Sequence, residues 1–429
     1  MPVILWTDAL VFMLITISTV AIATSLYNKE SRNKWSIIMQ QPSRIVAMIF
    51  LLAFILIGVL DCMHYQTQSL PGTLRSVLDW LLMPISYERE SSYSAPFATH
   101  EFVATMVKNT AGDITWINAK LLYVDQVLIW PLIAIGLLQA FLISTCIYYI
   151  FLRRRSSKQL LVAFVTIGFL LTILLIIRQL IPHYHIFGTD KIGVDVFYAS
   201  LKSIRTGLII GTLTTMITLP FAVLFGAMAG YFRGWTDDLV QYTYITLSSI
   251  PGVLLIAAAM LSLDVLVSRH DNAFVYMEQR SDIRLLLLCS ILGLTSWTSL
   301  CRILRAETLK LRDQEYILSA KVMGLRGIKI ITKHILPNLT HIIIISLVLD
   351  FSGLVLAEAV LSYVGVGVDP TMFSWGNMIN GARMEMGRDP IIWWSLLGAF
   401  AFMFTLVLSA NIFGDAVRDV LDSKGASHA

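Results

Sequence analysis

Apolar side chains along this chain come in unbroken blocks rather than in alternation. Runs from Ala9 to Tyr27, Ile45 to Met63, Val127 to Leu152, Leu160 to Ile177, Gly207 to Gly230, Val240 to Leu263, Leu285 to Leu300, Leu339 to Val364 and Trp393 to Ile412 are nine in number. Each is near the about 20 residues a helix needs to cross ~30 Å of hydrocarbon. Barrel strands alternate apolar and polar positions, whereas Leu285-Leu286-Leu287-Leu288 and Ile342-Ile343-Ile344-Ile345 are apolar on every side. The pattern predicts an all-α integral membrane protein of about nine spans.

Composition agrees: the chain is 56% hydrophobic and 14% charged over 429 residues, against about 25% charged in a soluble domain. Met1 to Leu10 carries no Lys or Arg, so the first run reads as a retained helix rather than a secretory signal. The four cysteines, Cys62, Cys146, Cys289 and Cys301, lie in or beside separate runs without CxxC spacing, which points to packing rather than zinc or disulfides.

The net charge of +4 matters less than its distribution. Alternate loops are basic: Lys29, Arg32, Lys34 and Arg44; Arg153, Arg154, Arg155 and Lys158; then a series from Arg302 to Lys333. By the positive-inside rule these loops are cytoplasmic, with the amino end outside and the carboxyl end inside. Between the second and third runs, His64 to Gln126 is too polar to cross lipid and is expected to form an external cap; it includes Pro71-Gly72 and Ser91-Ser92-Tyr93-Ser94. No fixed-period repeat is evident, and nothing suggests nucleic-acid binding.

The stretch 311–338 is the most informative. Tyr316, Ser319-Ala320 and Met323 recur at helical spacing beside Glu315 and Lys321, Gly324 is placed to stop a helix in the left-handed conformation, and Pro337 interrupts the next helical run. This is a short amphipathic helix, a turn and a second helix. Small residues at Ser319 and Ala320 suit close approach of a partner, but the same helix could rest on lipid headgroups; periodicity alone leaves both readings open.

Here the chain resembles the binding-protein-dependent ABC importer permeases. Their coupling loop reads Glu-Ala-Ala, three residues, Gly, nine residues, then Ile-x-Leu-Pro; Ser319-Ala320, Gly324, Leu336 and Pro337 follow it, while Leu318 and His334 stand where the family has Glu and Ile. Glu315-Tyr316 and His334 to Asn338 resemble the second-permease branch of its dipeptide and oligopeptide (peptide/nickel) group. Gly188-Thr189-Asp190, Gly193 and Asp195 resemble that branch's external signature. Further resemblances are Gly226 to Asp237, then Glu358 to Gly367 with a loop at Ser374 to Met378, and Asn411 to Asp422.

The resemblance covers about residues 160–423. It implies a type I importer transmembrane domain: an amino-terminal extension at 1–158 with about three helices, a permease core at 159–423, and a short tail at 424–429. It also implies a non-catalytic subunit of the bacterial inner membrane. Its expected partners are a second homologous permease, two ATP-binding subunits that hold ATP and Mg, an extracytoplasmic substrate-binding protein, and lipid. Peptide is the implied cargo; nickel, haem and peptide-like antibiotics are carried by similar permeases. No GxxxxGK[ST] pattern is present, so ATP hydrolysis is not expected of this chain, nor is a bound cofactor.

Asp350 and Glu358 fall within the eighth run, where a carboxylate is costly enough to mark a functional site or to need a structural partner. A gradient-driven carrier or channel using them is the rival reading, and a membrane scaffold is a third. Asp190 and Asp195 could face a cation or serve a packed turn. His183 and His185 flank Tyr184 but lack further ligands, so they read as surface residues and no metal is expected.

Overall fold

The computed structural model describes residues 2–27, 35, 37–66, 74–83, 85–86, 89–108, 114–124, 127–152, 158–269 and 276–422. Lys29, Arg32, Lys34, Arg153 to Arg155, Pro71-Gly72 and the tail 424–429 lie outside the described residues. All nine apolar runs are helical. In chain order the helices are α1 (Trp6–Tyr27), α2 (Pro42–Cys62), α3 (Val77–Leu81), α4 (Ile129–Leu152), α5 (Lys158–Leu180), α6 (Val196–Phe232), α7 (Trp235–Ser249) and α8 (Gly252–Ser268). They continue as α9 (Met277–Arg312), α10 (Glu315–Val322), α11 (Gly327–Ile330), α12 (Leu336–Val364), α13 (Trp375–Glu385) and α14 (Trp394–Asp422). Short strands β1 (Pro2–Val3), β2 (His64–Gln66) and β3 (Leu74–Ser76) form one antiparallel sheet, and β4 (Thr105–Lys108) pairs β5 (Ile114–Ile117).

Six described helical segments are long and apolar enough to cross a membrane, or seven if one bent pair counts as a span; shorter apolar helices occupy Trp6–Val20 and Ile129–Thr145. That bent pair corrects the expected single span from Val240 to Leu263. Helices α7 and α8 meet at 86°. Pro251 lies at the break and has no N–H to continue the α7 ladder, and Ile250 before it is extended, as residues preceding proline tend to be.

Contacts divide the chain into two compact units. The first comprises Met1–Ile4, Met39–Gly207 and Met372–Ser409. Its aromatic core sets Phe402 edge-on to Phe54, Phe187 and Phe197, and a buried cluster joins Tyr93, Val196, Ile392 and Trp394. A charged network is buried beside these. Lys202 Nζ lies 3.3 Å from Asp61 Oδ1 and 2.8 Å from Asp79 Oδ1, while Ser76 Oγ and Tyr198 Oη donate to Asp61 and Asp79. Burial raises the Asp79 pKa, yet the Lys202 charge together with hydrogen bonds from Lys202, Ser76 and Tyr198 outweighs it and leaves the carboxyl below its usual range. Residues from α2 and α3 are thereby fixed to α6.

The second unit comprises Leu5–Ile38, Leu208–Thr371 and Ala410–Ala429. Helix α1 is tied to α9 where Thr7 N and Oγ1 donate to Asp282, both residues being buried. Gly226 and Gly230 let α6 approach α9 closely: a Cβ on Gly226 would meet the Cys301 carbonyl at 2.9 Å. Arg305 makes a two-pronged bond to Asp237 at 2.5 and 2.7 Å, joining α9 to the start of α7.

Candidate coupling site and signature turn

In the second unit, α9 ends at Arg312 and α10 begins three residues later. Helix α10 closes with two hydrogen bonds, Leu325 N to Ala320 O at 3.2 Å and Gly324 N to Lys321 O at 3.0 Å. Gly324 sits at φ +79°. This is the Schellman arrangement, and it satisfies carbonyls that the helix end would leave bare.

Only part of the expected outward face of α10 is exposed. Ile317 and Ala320, each 1% exposed, enter a core with Trp297, Leu300, Leu304, Ile330, Ile335 and Leu339. Tyr316, Leu318, Ser319 and Met323 are exposed, and Val322 is 88% exposed. Ala320 is therefore an anchor rather than part of a presented small-residue face. The Tyr316–Ser319–Met323 stripe looks outward, because Ile317 and, a turn later, Ala320 face the core lined by α9, α11, the π segment and α12. Glu315 and Gly324 are also exposed.

Pro337 does not interrupt the second helix. Gly327–Ile330 passes through a π segment, Ile331–Ile335, directly into α12, with Pro337 in its first turn. The wider π turn absorbs the missing N–H. His334 is half-buried; its carbonyl accepts from Asn338 Nδ2 at 2.8 Å, and the same amide reaches Tyr316 Oη at 3.0 Å. Leu336 packs on the core. The whole stretch is thus one braced block with an apolar exposed surface.

The signature turn, in the first unit, is built the opposite way. Asp190 Oδ1 accepts from Ile192 N and Val194 N at 2.9 Å each, and Asp195 Oδ1 accepts from Tyr198 N at 3.0 Å, capping α6. Thr189 is fully buried: its Oγ1 accepts from Ser94 N at 2.7 Å and donates to Ser92 O at 2.8 Å, and its carbonyl takes the Trp394 indole N–H at 2.9 Å. Gly188 and Gly193 have φ of +69° and +72°, and a Cβ on either would strike the Ser94 or Glu90 carbonyl. Residues 90–94 therefore act as a strap over the turn.

His185 is buried, not a surface residue. Its Nδ1 lies 2.8 Å from Asp195 Oδ2 and its Nε2 3.6 Å from Glu90 Oε1. Burial pulls its pKa down, but the Asp195 hydrogen bond and the two carboxylates outweigh burial and raise it. Asp190 is pushed up by burial. Both Asp carboxylates are engaged within the chain. Among the described residues no group of three or more His, Cys, Asp or Glu is placed to hold a metal ion.

The intramembrane carboxylates differ. Glu358 is buried and accepts from Ser362 Oγ at 2.7 Å, and the same hydroxyl takes Val368 N; Asp350 is only half-buried. The segment expected as a loop at Ser374 to Met378 is the capped start of α13: Ser374 Oγ accepts from Asn377 N at 3.0 Å. Buried Trp375 donates its indole N–H to Ser200 O. That serine cap was the available signal. The strap and the Lys202 network had none, since both join residues about 100 or more positions apart.

Residues 222–425 match the family described as binding-protein-dependent transport system inner membrane component. An oligopeptide transport system permease protein of Haemophilus influenzae is 31% identical over 241 residues, 56% of this chain and 71% of the relative. A dipeptide transport system permease protein of Bacillus subtilis is 29% identical, covering 56% and 69%. A glutathione transport system permease protein of Pectobacterium atrosepticum is 30% identical, covering 56% and 73%.

Proposed function

Because the chain belongs to the family of binding-protein-dependent transport system inner membrane components, we propose that it is the permease subunit of an ATP-driven importer of short peptides. Relatives named for oligopeptide, dipeptide and glutathione transport share one cargo chemistry, a short chain of amide-linked residues, and that supports the substrate class. In this reading the chain forms half of the pathway in a bacterial inner membrane, with its carboxyl end cytoplasmic, beside a second homologous permease. An extracytoplasmic protein delivers substrate, and two ATP-binding subunits hold ATP and Mg.

The observation that carries the coupling role is the exposed apolar face of α10, with Val322 88% and Met323 74% exposed, backed by the buried Ile317 and Ala320. An apolar surface on a rigid mount suits a protein groove. Force applied there passes through the braced block into α9 and α12, so ATP-driven closure of the docked subunits would bias the helices between two arrangements. Glu358 already has a serine partner, which fits a structural role better than a proton relay.

The test is Val322→Asp with Met323→Asp in the chain co-expressed with its ATPase subunits. Charging an apolar contact centre costs ~2 kcal/mol or more of binding. Co-purified ATPase and ATP-dependent peptide uptake should both fall sharply while the melting temperature holds. Unchanged ATPase yield together with unchanged uptake would remove the docking role.

A further inference from the structure

A second exposed apolar surface lies in the first unit, remote in sequence from the permease motifs. Residues 120–124 and 127–130 lie between Lys120 and the first turn of α4. One side of this segment is buried: Leu121 and Val124 pack with Leu132, Leu180 and Tyr184. The other side is open, with Leu122 72%, Leu128 75% and Trp130 78% exposed, and Tyr123 also exposed.

Position in the fold says what covers it. Leu180 is the last residue of α5, and Ile129 the first of α4, so the segment sits where two paired apolar helices end. From Leu128 and Trp130 the open side continues down α4 through Leu137, Leu138 and Phe141, an exposed stripe on an apolar helix. A surface that ends such a stripe, carries Tyr and Trp, and begins with an exposed Lys has the composition of a membrane–water boundary.

The backbone supplies an independent observation. Three successive amides are satisfied inside the protein: Leu121 N donates to Thr99 O at 3.1 Å, Leu122 N to Glu90 Oε2 at 2.9 Å and Tyr123 N to Glu90 Oε1 at 3.0 Å. The Val127 carbonyl takes the Tyr184 hydroxyl. A non-helical stretch enters a water-poor layer more cheaply when its polar groups are paired, and here Leu122 N and Tyr123 N are paired by a buried carboxylate held against His185.

We propose that residues 120–124 and 127–130 form an interfacial foot, bedded about 5–10 Å into the headgroup and acyl boundary of the bilayer, with Lys120 directed to lipid phosphate. The foot shares Glu90 with the strap, so the lipid surface holds the strap over the signature turn. The inference needs only that the chain is a membrane protein, so it stands or falls separately from the importer reading.

The experiment places an environment-sensitive nitrobenzoxadiazole label on Leu122→Cys or Leu128→Cys in a Cys146→Ala full-length chain reconstituted in phospholipid vesicles. Cys62, Cys289 and Cys301 are buried and do not compete. Lys191→Cys, on the exposed side of the signature turn, is the control. Both foot labels should emit to the blue of the control and lose fluorescence to lipids brominated near the headgroup more than to those brominated deep in the chain. Emission and quenching like those of Lys191→Cys would overturn the foot. So would a blue shift that appears only when partner subunits are added and is insensitive to bromine, since that would assign the surface to a protein.

Discussion

Two glycines with nearly the same backbone angle show how differently the two functional regions are built. Gly193 in the signature turn has φ +72° and Gly324 at the end of α10 has φ +79°. Space for a Cβ on Gly193 is taken by the Glu90 carbonyl, whereas nothing lies within 4 Å of one on Gly324. The signature turn is closed, every polar atom of Thr189 and both aspartates being engaged by the chain itself. The coupling block is rigid inside and bare outside. A closed motif has its polar groups satisfied by the chain, and an open one leaves apolar surface of the kind the proposed docking requires.

The largest expected effect tests this contrast directly. Gly324→Ala carries only the left-handed penalty, ~1–2 kcal/mol, partly offset by a stiffer unfolded chain. Gly193→Ala carries the same penalty and must also displace the Glu90 backbone, which loosens the His185 contact and the Leu122 and Tyr123 amides together. We expect Gly193→Ala to cost more than ~4 kcal/mol, seen as lost yield or a large drop in melting temperature in detergent. Equal losses at the two sites would erase the distinction between closed and open.

A smaller effect concerns His185. Its pKa is raised in the folded state above the ordinary 6.5, so the stabilisation is complete below 6.5 and is lost as pH climbs through the folded value. Facing it are Asp195 and Glu90, with Glu101 beside Glu90; the Glu101 carboxyl is raised by burial and by Glu90 from 4.5, and its loss with rising pH starts lower. The difference between wild type and His185→Gln therefore isolates the histidine, at most about 1.4 kcal/mol per pH unit. Melting temperature should decline from pH 6.5 upward, and His185→Gln should flatten that decline. A flat wild-type profile would mean the turn is held without the charged pair.

What the chain reveals before folding divides along the same line. The nine apolar runs from Ala9 to Ile412 mark where the long apolar helices lie, because membrane burial is set by local composition. The break at Pro251 escapes the same reasoning, since hydropathy carries no direction. Gly324 is legible as a stop because a left-handed residue is a local demand. The outward face of α10 is legible in part: Tyr316, Ser319 and Met323 are exposed as their spacing suggests, but Ala320 is buried, because a small residue suits a tight core as well as a close-approaching partner. Glu90, Tyr93 and Ser94 read as an undistinguished polar stretch, because their partners lie about 100 positions or more away at His185, Thr189 and Glu385. Closed sites built from distant residues leave the faintest trace in sequence.

The smallest expected effect lies at the rim of the open region. Arg233, a non-glycine residue at φ 55°, lies 3.2 Å from Asp313 where α9 gives way to α10, and both side chains are well exposed. Exposed pairs contribute ~0.2–1 kcal/mol and are screened by salt. Arg233→Gly removes the pair, relieves ~1–2 kcal/mol of left-handed strain and loosens the unfolded chain by ~0.4–1 kcal/mol, so the net change should be near zero. Arg233→Ala removes the pair but keeps the strain, and should lose a few tenths of a kcal/mol that vanish in high salt. Chemical denaturation of the detergent-solubilised chain at low and high salt separates these cases. A loss of ~2 kcal/mol that survives salt would mean water does not reach this rim, and the coupling block would then be closed like the signature turn.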